Sequence, residues 1–241
     1  MKKFFYAAVL MVAGFSFTSC DPDEMFDIVD EISGSVSLTI TCPGVENTYT
    51  DGQIITFTSC VADAFMDSIN QLHNVCLAAN VSLADADLTI GAPYMGFQVN
   101  DSVAGTYQIE NIITKENIIN FTPVEFIDNK NGSNTFALVS TDTTCYIAKS
   151  GSINITAYNG YGQLVEGRLD NVVAYYITLS KVEHLANLYD AATSGDASAI
   201  ATLATINLDT YFDQVTFNGN FSSRRMAVSR LLESLKAVNA E

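Results

Sequence analysis

His73 and His184 are the two histidines of this 241-residue chain, and imidazole is the side chain that ordinarily titrates near neutral pH. Either would serve a hydrolase as general base if a serine and an acid stood beside it. Glu183 directly precedes His184, and adjacent residues on a helix point apart, so both histidines are read as surface or half-buried residues of predicted helices. Paired carboxylates are the other candidates, because two of them at the right separation cleave glycosides. Asp85 and Asp87 precede a short strand pattern at 88–90, and Asp209 and Asp213 flank Tyr211-Phe212. With 27 acids in the chain, such pairs arise by chance. Cys42, Cys60, Cys76 and Cys145 form no C-x-x-C pair, and neither histidine sits at a ligand spacing from them, so no metal centre is expected. They are candidate disulfide partners, with three possible pairings. The run 128–133 does not match the EF-hand spacing: its glycine comes one position early, and Lys130 stands where an oxygen ligand is needed. Weak calcium binding by an acidic surface is the one cofactor expectation. No G-x-S-x-G, H-E-x-x-H, S-x-x-K or Walker sequence is present. Gly160-Tyr161-Gly162 with Gly167 has the wrong spacing for a dinucleotide loop and reads as a hairpin turn. Tyr158, Tyr161, Tyr175 and Tyr176 gather near that hairpin. They are read either as a patch that stacks on sugars or peptide or as ordinary amphipathic sheet residues.

The composition narrows the classes further. Hydrophobic residues make up 48% of the chain, which is ordinary for a folded domain and excludes disorder. A net charge of -16 excludes nucleic-acid binding through a basic surface. The one long apolar run lies at the N-terminus. Lys2 and Lys3 precede the apolar residues 4–15, and small polar residues lead to Cys20, the layout of a secretory signal over 1–19. The ending Phe17-Thr18-Ser19-Cys20 resembles a lipobox, where a bacterial lipoprotein is cut before a cysteine that receives acyl chains. The competing reading is ordinary cleavage near Ser19, with Cys20 joining a disulfide. Acyl chains on Cys20 would hold the protein firmly, since each buried methylene contributes about 0.8 kcal/mol. Residues 20–34 form an acidic tether, with Asp21, Asp23, Glu24, Asp27, Asp30 and Glu31 in close succession. It resembles the export signal of Bacteroidota surface lipoproteins, and it also suits a plain charged linker. From residue 4 to residue 114 there is no Lys or Arg, whereas Arg224, Arg225, Arg230 and Lys236 cluster at the C-terminus.

Behind the tether, residues 35–241 read as a single β-rich domain. Residues 35–42 alternate, with Val36, Leu38, Ile40 and Cys42 on one face, and Pro43-Gly44 ends the run. Residues 53–59 are the predicted return strand. Residues 105–111 and 134–139 are further strands, and 172–180 is a long one. Ile153 and Ile155 share a face, as do Val215, Phe217, Gly219 and Phe221. Gly167 and Gly219 inside strands point to bulges or close backbone approach. Helical spacing predicts a helix over 61–79, with Val61, Phe65, Ile69, Leu72 and Cys76 on one stripe. It also predicts two short helices over 182–203, broken at Ser194-Gly195. An amphipathic C-terminal helix is predicted over 223–238, with Ser222 or Ser223 as its cap.

Residues 145–222 carry a cadence: Gly151-Ser152-Ile153-Asn154-Ile155-Thr156, then Glu166-Gly167-Arg168-Leu169, then Asn218-Gly219-Asn220-Phe221. This resembles a family of Bacteroidota lipoproteins of unknown function, in which G-S-I-x-I-T, G-x-F and N-G-x-F strands recur in antiparallel order. The resemblance implies a β-rich fold and an envelope location, and it brings no catalytic residues. The expected fold is mainly β with some helix (α+β): an antiparallel β-sandwich or barrel-like sheet with helical insertions and the C-terminal helix. The expected role is non-enzymatic binding, adhesion or assembly by a protein lipid-anchored at the outer membrane, on its cell-surface or periplasmic face. A peptide, glycan or envelope protein would be the partner. A surface hydrolase or glycan-handling accessory is the alternative.

Overall fold

The computed structural model describes residues 34–58, 60–67, 72–84, 87–101, 103–119, 133–158 and 165–223. The predicted signal segment and Cys20 lie outside these residues, as do most of the tether, Tyr161 and all but Ser223 of the 223–238 helix.

The alternation at 35–42 becomes β1 (Gly34–Thr41), and the return strand is β2 (Ile54–Phe57). Then follow β3 (Cys60–Asp67), β4 (Leu72–Ala84), β5 (Asp87–Val99) and β6 (Gly105–Gln108). A short helix, α1 (Lys115–Ile119), precedes β7 (Thr135–Thr141), β8 (Thr144–Tyr158) and β9 (Val165–Thr178). Three helices, α2 (Leu179–Thr193), α3 (Ala197–Thr205) and α4 (Leu208–Tyr211), lead to β10 (Asp213–Ser223). All strand pairs are antiparallel, in the order β2-β1-β10-β9-β8-β7-β5-β4-β3, with β6 added beside β8. The sheet curls into a nearly closed barrel. β2 lies along β1, and β3 begins a few residues later and pairs with β4, so the two edges of the sheet belong to one stretch of chain. At that seam the hydroxyl of Ser223 donates to the carbonyl of Cys60 at 2.9 Å.

Period-two alternation explains the barrel. Val36, Leu38 and Ile40 of β1, Phe97 of β5, Phe136 of β7, Tyr146 of β8 and Phe217 of β10 are all fully buried in one interior cluster. Aromatic contacts cross the interior: Phe97 meets Phe221 at 4.7 Å between ring centroids, and Phe136 meets Phe217 at 5.5 Å. Large side chains therefore fill the axis, as in other small barrels.

The inward phase changes partway along β8 and β9. Tyr146 and Ala148 point inward above the change and Ile153 and Ile155 below it, while Ala174 and Tyr176 pair with Leu169 in the same way on β9. Register shifts between Ala148 and Ser152 mark bulges that absorb the odd residue. Gly151 has φ 110, and the carbonyl of Asn171 (φ 48) packs against it. On its other side, the upper half of β7, β8 and β9 carries a second apolar layer. Val139, Cys145, Ile147, Tyr175 and Ile177 face Ile118, Leu185 and Phe212. This is why β7 is buried on both faces.

The helices predicted over 182–203 are present, broken where expected. Asp196 caps α3, accepting from the amides of Ser198 and Ala199. The helix expected over 61–79 is not what forms: β3 and β4 take up the described residues of that span. Cys60, Ala62, Val75, Leu77 and Ala79 alternate into the barrel interior. Sheet pairing on both sides of β4 therefore outweighs the helical stripe. Ser222 and Ser223 are the last residues of β10, and the helix predicted beyond them lies outside the described residues.

Gly219 and Gly167 are the close approaches that the sequence indicates. A Cβ on Gly219 would collide with the carbonyl oxygen of Ser37 and lie 2.8 Å from the Cα of Leu38. Gly219→Ala must push β1 and β10 apart, so urea unfolding should show a loss of about 3 kcal/mol, the upper end for overpacking. Gly105→Ala, whose Cβ would meet only the Tyr107 ring at an ordinary 3.6 Å, should unfold like the parent.

Candidate functional site

Of the side chains singled out for chemistry, Asp209, Asp213, His184 and Tyr175 come together where α2–α4 dock on the outer wall of β8 and β9. Lys149 of β8 forms an ion pair with Asp209, and the Tyr175 hydroxyl donates to the same carboxylate oxygen at 2.7 Å. Lys149 Nζ also stands 5.1 Å from the centre of the Tyr175 ring. Asn111 Nδ2 donates to the Tyr175 hydroxyl at 3.4 Å. The hydrogen bonds from Lys149 and Tyr175 hold the Asp209 carboxyl below the usual range, in that order of weight. Burial, with the bond to Asp209 second, pushes the Tyr175 phenol up to about 12.

Four residues along, Asp213 is paired with Lys181 at 2.9 Å. The ammonium lies about equally far from two rings, 6.0 Å from Tyr211 and 5.9 Å from Phe212. The Tyr211 hydroxyl gives its single proton to the carbonyl of Lys181 at 3.0 Å, so His184 Nδ1, 3.1 Å away, is the donor in their bond. A third lysine, Lys115 at the start of α1, donates to the carbonyl of Leu203 near the end of α3 at 2.6 Å.

This arrangement is a clamp. Each aspartate is matched to a lysine, and the Asp209 carboxyl is pushed down, the reverse of what general acid work needs. The His184 ring is engaged by the Tyr211 hydroxyl. The ion pairs are partly solvated and individually weak. Their effect is to fix the position of the helices over the apolar layer beneath.

Tyr175 and Tyr176 follow the second reading, ordinary residues of an amphipathic sheet. Tyr175 faces the helix layer and Tyr176 the barrel interior, both buried, because neighbouring residues of a strand point to opposite faces. Tyr158 packs at the edge of the interior cluster. His73 lies on β4 opposite Met66, and Asp87 opens β5. Asp128 and Lys130 fall outside the described residues. Among the described residues, no three His, Cys, Asp or Glu side chains stand together as a metal site.

Three of the four disulfide candidates stand apart from one another. Cys42, Cys60 and Cys145 are free and buried. Cys42 follows the upper end of β1, whereas Cys60 packs against Gly34 at its lower end, roughly 25 Å away at ~3.3 Å per residue. Cys145 faces the helix layer on the other side of the sheet. A disulfide needs Cα atoms within about 7 Å. Cys76 lies on β4 opposite Asp63.

The upper mouth of the barrel was not apparent from the sequence. Residues 42–53, between β1 and β2, cross it. Thr48 reaches Ser140 of β7 at 3.2 Å and Thr144 of β8 at 3.5 Å, hydroxyl to hydroxyl. In the sheet order, β7 lies four strands from β1, the far side of the ring. Beneath this strap, the Tyr146 hydroxyl donates to Asn47 Oδ1 at 3.0 Å. The Tyr146 ring contacts Tyr49, at 5.9 Å between centroids, and Tyr176, at 5.2 Å. Burial pushes the Tyr49 phenol up to about 12. The alternation of Tyr146 with Ala148 and of Tyr176 with Ala174 could have placed two of these rings inside. Nothing local says that 42–53 crosses the mouth.

No family model matches the chain, nor does any curated protein or solved structure at the significance required.

Two predictions follow from these burials. Cys42, Cys60 and Cys145 should resist iodoacetamide in the folded protein and label fully on unfolding without reductant; labelling of the native state at the rate of a free peptide thiol would contradict their placement. Tyr49 and Tyr175 have folded pKa values raised from 10.0 to about 12. Their contribution is complete below pH 10 and is lost as pH rises towards 12, because the unfolded phenol ionises first. Urea midpoints should therefore fall between pH 10 and 12, and spectrophotometric titration should show these phenols ionising only with unfolding.

Proposed function

We propose that this is a lipid-anchored protein of the bacterial outer membrane, on the cell-surface or periplasmic face, with a non-enzymatic role in binding or assembly. The carrying observation is the N-terminal sequence: two lysines, an apolar run, Phe17-Thr18-Ser19 and then Cys20. Acyl chains on that sulfur insert into a bilayer, and the six carboxylates that follow keep the body away from anionic lipid. The resemblance of residues 145–222 to Bacteroidota envelope lipoproteins supports the same address.

The folded body supports a binding role over a hydrolytic one. Its interior is occupied by Phe97, Phe136, Tyr146 and Phe217, and its most ordered polar cluster is spent on docking helices. A peptide, glycan or envelope protein would then be met by outer surfaces and by the mouth of the barrel.

The anchor is tested by fractionation. Cys20→Ala should move the protein from the membrane pellet to the soluble fraction and abolish labelling by radioactive palmitate. Membrane retention equal to that of the parent would refute the anchor.

A further inference from the structure

The strap at 42–53 has the parts of a moving element. At its feet, Gly44 (φ 73) and Gly52 (φ 77) adopt conformations that favour glycine, with nothing within 4 Å of where a Cβ would stand. Its base is tied by main-chain bonds between Ile40 and Gln53 and between Gly52 and Ile40, and by Asp51 accepting from the amide of Cys42. Its middle meets the far wall through side-chain hydroxyls, Thr48 with Ser140 and Thr144, and through Asn47 with Tyr146. Such bonds exchange readily for bonds to water.

Tyr49 is the other half of the argument. Its ring packs 5.9 Å from that of Tyr146, yet its hydroxyl is buried without a hydrogen-bond partner among the described residues. A phenol in that position incurs the desolvation of its hydroxyl with nothing in return. A ring without the hydroxyl would fit the same place at no such cost, and Tyr49 would regain water once the strap lifted.

We propose that residues 43–50 form a gate over the upper mouth, and that Tyr49 is a built-in guest in a ring site on Tyr146 that an apolar aromatic ligand occupies when the gate is open. The inference goes beyond the anchored-protein reading and does not depend on it, because it rests on the barrel and the strap alone.

The test is hydrogen exchange by mass spectrometry on the full chain in detergent, following the amides of Val45, Tyr49 and Thr50, which are all bonded within the strap. Thr48→Ala removes the latch and should speed their exchange by about tenfold, the equivalent of one hydrogen bond. Tyr49→Phe removes only the orphan hydroxyl, so it should slow exchange and raise the melting temperature. Toluene, as the apolar ring, should speed exchange in the strap and leave β9 amides unchanged. Thr48→Cys with Ser140→Cys, oxidised, should suppress the toluene response, and reduction should restore it. If Thr48→Ala and Tyr49→Phe shift exchange in the same direction, the gate is overturned. If toluene leaves the strap of the parent unchanged, the ring site is overturned.

Discussion

Every strand in this protein must place alternate residues inside a ring that has almost no free edge, and the rest of the structure follows from that demand. Backbone groups buried away from water must pair, and a nearly closed antiparallel sheet pairs them with one another. The interior then has to be filled at close-packed density. Val36, Leu38, Phe97, Phe136, Tyr146 and Phe217 do so from five different strands. Midway along β8 and β9, strict alternation would turn an apolar residue outward. The bulges of β8 around Gly151, and Asn171 beside them on β9, restore the phase. At the seam the main chain runs from one edge of the sheet directly into the other, so few residues are needed to complete the circle.

The outer surface obeys a different rule on each half. Below the bulges, β8, β9 and β10 present Asn154, Arg168, Asn220 and their neighbours to solvent. Above them, an apolar layer is covered by four helices. A chain with 27 acids and 11 basic residues has few cations to distribute, and Lys115, Lys149 and Lys181 are all directed at those helices or at the strand that follows them. They set where the cover sits, while apolar contact supplies most of the attraction, as is usual for partly exposed ion pairs.

What could be read in advance divides along physical lines. β1, β10 and the helices at 182–203 have one dry face each, so their periodicity is unambiguous, and Asp196 and Gly195 mark a boundary by local chemistry. Gly167 and Gly219 were legible because only a close backbone approach makes glycine useful in mid-strand. Residues 61–79 were misread because their apolar side chains satisfy helical and strand spacing together, and pairing with β5 decided the matter. The strap was invisible for a related reason: Thr48, Ser140 and Thr144 are unremarkable hydroxyls until the ring brings positions ninety residues apart within bonding distance. The cysteine count suggested pairing, but counting cannot see that Cys145 is on the other side of the sheet from Cys42 and Cys60.

The pairing of Gly34 with Ser223 gives the molecule two unlike poles. The described chain enters and leaves at a single rim. The strap lies at the other rim, about one strand-length away. The two rims therefore differ in kind: one holds both ends of the described chain, the other a crossing segment over the rings of Tyr146 and Tyr176.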